Sequence, residues 1–182
     1  QYLVAFFQSV TTRTAGFNTV PIGALLPTTQ LMVIVLMFIG GASGSTAGGI
    51  KVNTVAVIGA YLRGLRRGQQ QTLLFRHVVP ERQIATAFMV LLFGVSAVFV
   101  GTAILTLTQP FPLSDALFEV VSAFATVGLS TGITGALSTI GKLTIVVAMF
   151  VGRVGPLTLF SAVSASPRRV RVSYPTADIT IG

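Results

Sequence analysis

Cysteine and tryptophan are absent from this 182-residue chain, histidine occurs once, and Asp and Glu together number four. Without cysteine there is no disulfide framework, no thiolate metal site and no Cys nucleophile. His77 alone argues against a His-rich metal cluster or a His-dependent triad. Charged residues of all kinds make up 9% of the chain, against about 25% in an ordinary soluble domain. That is too little polar material to coat a water-soluble globule. Most soluble enzymes and nucleic-acid-binding modules are thereby excluded, and the bilayer is the expected solvent.

The charge that is present is basic: 12 Lys+Arg against four acids, a net +8. A basic chain invites nucleic acid as a partner, but the positions argue against it. Arg63, Arg66, Arg67, Arg76 and Arg82 form one group, and Arg168, Arg169 and Arg171 another. Both groups flank apolar stretches, as the positive-inside rule expects of cytoplasmic segments. Gln1-Tyr2-Leu3 opens directly in an apolar run, without Met or a signal-peptide layout, so a piece of a longer subunit is expected.

Ile84 to Leu107 is the cleanest span, with 24 uncharged residues against the roughly 20 that cross a bilayer. Leu143 to Ala165 is a second, interrupted by Arg153 and by Gly155-Pro156, where a break is expected. Leu31 to Leu62 is apolar but holds Gly40-Gly41-Ala42-Ser43-Gly44-Ser45-Thr46-Ala47-Gly48-Gly49. Five glycines in ten residues, each costing about 1 kcal/mol against Ala, do not sustain a helix. Irregular backbone at membrane depth survives only when buried in protein or lining a wet cavity. Tyr2 to Thr12 and Ser114 to Phe124 are each about half a membrane long at roughly 1.5 Å per residue. They read as re-entrant half-helices, the second with Ser114 as N-cap and Asp115 in its first turn.

A shift of 112 residues aligns the chain with itself without a gap. Between Thr14 and Gly40, 11 of 27 positions are identical to their partners: 14, 16, 19, 23, 24, 25, 31, 35, 37, 38 and 40. Such a repeat takes precedence in any fold assignment. Each copy reads half-helix, T-x-G, loop, broken span. The repeats run parallel: 63–82 lies inside, one crossing leads out to Pro110, a half-helix dips in and returns, and another crossing leads back to the tail.

A half-helix ends in unpaired carbonyls and a partial negative charge. Both half-helices end just before T-x-G, so both aim that charge at the membrane interior. A T-x-G segment can then turn carbonyls inward to replace a cation's hydration shell, as potassium filters do. Gly16 and Gly128 are the central residues, because glycine adopts φ values that a Cβ disfavours.

The run Phe7-Gln8-Ser9-Val10-Thr11-Thr12-Arg13-Thr14-Ala15-Gly16-Phe17-Asn18-Thr19, followed by Gly40 to Lys51, resembles the third repeat of the Trk/Ktr/HKT superfamily of potassium transporters. Ala123-Phe124-Ala125-Thr126-Val127-Gly128-Leu129-Ser130-Thr131-Gly132 resembles its fourth filter. The resemblance implies an all-α integral membrane protein of M1–P–M2 potassium-channel-like repeats with re-entrant pore helices. Residues 1–62 would be the third repeat without its M1, 63–82 a cytosolic linker, 83–165 the complete fourth repeat and 166–182 a cytosolic tail. The tail from Tyr174 to Gly182 is most similar to a KtrB-type subunit. Such subunits form homodimers, sit in the plasma membrane and rest on a cytosolic nucleotide-binding ring of KtrA/TrkA type. The first two repeats of the same subunit and membrane lipid would be the other partners; the expected ion is K⁺, with Na⁺ as a modifier, and no organic cofactor is expected.

The expected filter is Thr14, Ala15, Gly16, Phe17 and Asn18 with Thr126, Val127, Gly128, Leu129 and Ser130. Asn18 and Ser130 stand where TVGYG filters place a second glycine, so fewer ordered carbonyl sites are expected. By resemblance, Gly40 to Gly49 is a loop obstructing the pore below the filter. Arg153, an ionisable residue inside a span, is functional by default. It lies 112 residues from Gly41, so it is expected to face the pore and hydrogen-bond the loop. Lys51 either anchors the inner end of the loop or snorkels to the cytoplasm. Arg13 is expected to point away from the ions as filter support, with Glu119 as its available partner. No G-K-S/T follows the glycines, so they are not a phosphate loop. An alternating-access carrier with midplane broken helices is the alternative. An enzyme is not expected, since the spans offer no paired carboxylates or usable His.

Overall fold

The computed structural model describes residues 2–69 and 71–155. The tail from 166 to 182, its three arginines and the second span beyond Gly155 lie outside the described residues. Among the described residues, six α-helices follow in order: α1 Tyr2–Thr11, α2 Pro27–Phe38, α3 Val52–Arg66, α4 Glu81–Thr108, α5 Leu113–Phe124 and α6 Thr139–Val154.

Prolines mark several starts. Pro27 opens α2, Pro80 precedes α4 and Pro112 is the N-cap of α5. A ring-locked φ and a missing N–H suit these places, where no intrahelical partner exists. The Ser114 cap is therefore corrected. Pro112 O accepts from the N–H groups of Asp115 and Ala116, both at 3.1 Å, and Ser114 already lies inside the first turn. Ser138 caps α6 instead, its side chain accepting from Gly141 N at 3.3 Å.

Helix α4 is long and apolar enough to cross a membrane. Its 28 residues give about 42 Å at 1.5 Å per residue. Leu92, Phe99 and Leu107 project outward from it. Helix α5 is the centre of the core. Ala116 and all of Phe118–Phe124 are buried, packed by α2, α4 and α6. Phe38 of α2 stacks on Phe124 with centroids 6.2 Å apart. Two glycines of α4 mark the depth reached by α5. A Cβ on Gly101 would stand 2.9 Å from Val120 Cγ1, and one on Gly94 3.5 Å from Phe124 Cζ. Gly94 is the midpoint of α4, so α5 ends level with the middle of the long helix.

The 112-residue shift reappears in the elements. The 3-10 turn Ile22–Ala24 has its counterpart at Thr134–Ala136, residue for residue. Phe38, where α2 stops, corresponds to Phe150, after which α6 runs on to Val154. One departure from an all-helical reading lies in the linker. Leu73–Leu74 and His77–Val78 pair as an antiparallel hairpin, with Phe75 and Arg76 at positive φ in its turn. That turn type usually carries Asn or Gly, so the residues here gave no hairpin signal.

Candidate functional site

Helix α5 unwinds through bonds of changing span: Ala125 N to Val121 O at 2.8 Å, Thr126 N to Ala123 O at 3.0 Å and Val127 N to Ser122 O at 2.9 Å. Helix α1 ends similarly, with Arg13 N donating to Val10 O and the amides of Ala15 and Gly16 both donating to Thr11 O. Beyond each end the backbone alternates. Thr14 (φ 64) and Gly16 (φ 75) bracket Ala15; Thr126 (φ 55) and Gly128 (φ 91) bracket Val127. Alternation of the sign of φ lets successive carbonyls face one side, which neither a helix nor a strand allows. Threonine in the left-handed region costs on the order of 1–3 kcal/mol, and such strain clusters at functional sites.

The two segments meet. A Cβ on Gly16 would stand 2.2 Å from Val127 O and 3.5 Å from Gly128 Cα. Gly23, further along the first loop, lies against Thr131 O in the same way, at 2.7 Å. Val127 and Leu129 are buried, Thr14, Gly16, Thr126 and Ser130 half-buried, and Ala15, Phe17, Asn18 and Gly128 exposed. Asn18 Nδ2 reaches its own loop at Val20 O, 3.5 Å away.

The glycine-rich segment is a closed loop between α2 and α3. Its ends are zipped by Gly40 N to Ile50 O (2.8 Å), Ile50 N to Phe38 O (3.2 Å) and Val52 N to Gly41 O (3.2 Å). Residues 42–46 are exposed, whereas 47–50 are buried. The exposed tip presents carbonyls to two cations. Lys51 Nζ donates to Ser45 O at 3.3 Å and to Ala47 O. Arg153 Nη1 donates to Thr46 O. On the buried side, Gly48 N donates to Thr126 Oγ1 at 3.0 Å. Helix α6 closes on the end of α5 because Gly152 has no side chain: a Cβ there would fall 1.7 Å from Phe124 O.

Arg153 stands between two clefts. One, of about 420 Å³, is lined by the loop residues Ala47 and Gly49 with Lys51, Thr54 and Gly152. The other, of about 560 Å³, is lined by Thr126, Gly128, Ser130, Glu119 and Met149. A cation at this place faces both the T-x-G side and the loop side.

Glu119 is buried and does not serve Arg13. Its carboxylate accepts from Ser130 Oγ, from Thr131 N at 3.2 Å and from Thr134 Oγ1 at 3.0 Å, all in its own repeat. Arg13 is exposed. Of the partners open to it, the carboxylate takes the loop that follows Gly128. Three supports escaped the sequence reading. Thr11 Oγ1 donates to Phe17 O at 2.6 Å, Gln30 Nε2 holds Ile22 O and Leu25 O, and Gln109 joins Ser138 across the α4–α6 gap. A polar side chain recurring in an apolar run was their only signal. Gln8, also buried, has neither amide atom hydrogen-bonded among the described residues.

Comparison with known proteins decides the family. Residues 1–170 match the family described as TrkH, cation transport protein. The chain belongs to the TrkH cation transport family. It is 41% identical over 98% of its length to the Ktr system potassium uptake protein B of Bacillus subtilis, and 37% identical over its whole length to that of Vibrio alginolyticus. The potassium/sodium uptake protein NtpJ of Enterococcus hirae is 34% identical over 97% of the chain. Each alignment covers 40–41% of the relative, so the chain spans about two fifths of their length. The potassium transporter TrkH from Vibrio parahaemolyticus shares the fold, with a TM-score of 0.74, 22% identity, and coverage of 88% of this chain and 36% of that one. These TrkH-family relatives carry transporter names, not enzyme names.

Proposed function

We propose that this chain supplies half of a K⁺-uptake pore. In this reading α1 and α5 are re-entrant pore helices, and residues 14–18 and 126–130 are two of four filter segments. Residues 40–49 are the gate beneath them. Residues 1–62 are the third repeat without its M1 and 83–165 the fourth M1–P–M2 repeat, joined by a cytosolic linker at 63–82, with the tail also cytosolic. The remaining two filter segments come from the rest of the same subunit.

The observation that carries the reading is the approach of Gly16 to Val127 O and Gly128 Cα, with the same alternating backbone on both sides. Carbonyls gathered where two such segments meet are the chemistry that strips water from an alkali cation. Arg153 adds a fixed positive charge beside the filter residues while holding Thr46 O of the loop. A guanidinium beside the ion path repels K⁺, and in this reading K⁺ passes when the guanidinium and the loop move. K⁺ is the preferred ion because the relatives named above are potassium uptake proteins; the name of NtpJ adds Na⁺. The word "system" in the Ktr names agrees with further subunits, here a homodimer on a cytosolic nucleotide-binding ring in the plasma membrane.

Flux of ⁸⁶Rb⁺ into vesicles holding the complete subunit tests this. Gly128→Ser should abolish discrimination of Rb⁺ from Na⁺. Unaltered discrimination would remove the filter assignment.

A further inference from the structure

The two threonines that open the T-x-G segments occupy equivalent places and make different contacts. Thr14 Oγ1 turns back to the carbonyl of its neighbour, Arg13 O, at 2.7 Å. Thr126 Oγ1 accepts a hydrogen bond from Gly48 N at 3.0 Å, a partner 78 residues away in the chain. Gly48 is buried, and the fit leaves no slack. A Cβ there would stand 2.6 Å from Thr126 Oγ1, 2.7 Å from Thr126 Cγ2 and 2.9 Å from Ala125 O. The cations hold the loop from the opposite direction, Lys51 and Arg153 taking the carbonyls of residues 45–47. Of these ties, only the Thr126 hydroxyl belongs to a T-x-G residue.

We propose that Thr126 is a positioning residue: its hydroxyl latches the 40–49 loop to the T-x-G segment, so that loop release and filter conformation are one coupled equilibrium. This rests on the filter-and-gate reading above. Thr126 sits at φ 55, in a conformation that an ion held by the neighbouring carbonyls would favour. An ion that favours the latched geometry must bind more tightly when the loop is latched, because such coupling is reciprocal. Thr14, with its hydroxyl spent on its own backbone, has no equivalent part.

The test uses the complete subunit in lipid vesicles. This chain has no cysteine, so with any cysteine in the rest of the subunit replaced, Ala47→Cys, on the buried side of the loop, reports loop release by its rate of thiol modification. In that background Thr126→Val should be modified about fivefold faster, the factor expected for loss of one hydrogen bond. Replacing K⁺ by Na⁺ should alter the rate in the parent and in Thr126→Ser, but not in Thr126→Val. Gly48→Ala, whose new methyl meets the same threonine, should also accelerate modification. It carries the test if Thr126→Val does not fold. An unchanged rate in Thr126→Val or Gly48→Ala, or equal behaviour of the Ser and Val variants, would overturn the latch. Failure of the filter reading is seen separately, as unaltered Rb⁺/Na⁺ discrimination in Gly128→Ser whatever Ala47→Cys reports.

Discussion

The segments 14–18 and 126–130 share a backbone and differ in what surrounds it. Both follow a short helix, both place Thr and Gly at positive φ, and both lead to a 3-10 turn at the same offset. Within this chain, which spans about two fifths of its relatives' length, α1 has Gln8 and Thr11 buried, whereas α5 is buried over most of its length. The first segment is steadied locally, by Thr11 Oγ1 on Phe17 O and by backbone bonds to Thr11 O. The second is steadied by a carboxylate, Glu119, and by the glycine-rich loop. The same φ alternation thus occurs in two different surroundings within this chain, and the two segments meet at Gly16 and Val127.

The sharpest way to break the comparison is at the equivalent pair Gly40 and Gly152. Gly152→Ala drives a methyl into Phe124 O. Overpacking typically costs about 1–3 kcal/mol, and a 1.7 Å approach to backbone belongs at the upper end, so thermal unfolding in detergent should show a large loss of Tm. The next effect tests the central pair. Gly16→Ala meets Val127 O at 2.2 Å, but a Cβ on Gly128 meets nothing nearer than Gly16 Cα at 3.9 Å. Equivalent in the repeat, they should be unequal in cost: about 2–3 kcal/mol for Gly16→Ala, from collision and left-handed strain together, against ~1 kcal/mol for Gly128→Ala from strain alone. Denaturant titration of the two variants reads the difference.

The supports should follow the same order. Glu119→Gln weakens charge-assisted bonds to Ser130 and Thr131 and should cost about 2 kcal/mol. A cycle with Ser130→Ala should show coupling between the two sites. Thr11→Val removes one neutral bond and should cost ~1 kcal/mol. If the two variants destabilised equally, the contrast between a carboxylate-held and a locally held segment would be lost.

Much of this architecture was legible in the residues, for physical reasons. The span 84–107 falls inside α4 because a long uncharged run has one stable form in lipid. The helix break at 40–49 follows from glycine's backbone entropy. Arg153 and Gly41 share a repeat offset, and the guanidinium does reach the loop, although at Thr46 O. What stayed hidden depends on the path of the chain. The bond from Gly48 to Thr126 joins two repeats, and no pattern within either repeat points to it. Glu119 turned to its own loop because that loop folds back over α5, a path set by tertiary packing. The cap of α5 lay two residues before Ser114, since proline geometry outweighed the hydroxyl's preference. The hairpin at 73–78 carries Phe75 and Arg76 where turn chemistry looks for Asn or Gly.

The most direct measurement is the anomalous signal of Tl⁺ or Rb⁺ in a structure of the complete subunit. Ion density should lie on an axis shared by Gly16 and Gly128, within coordination distance of backbone carbonyls from both T-x-G segments. Density elsewhere, or these two glycines facing lipid with no ion beside them, would contradict the account.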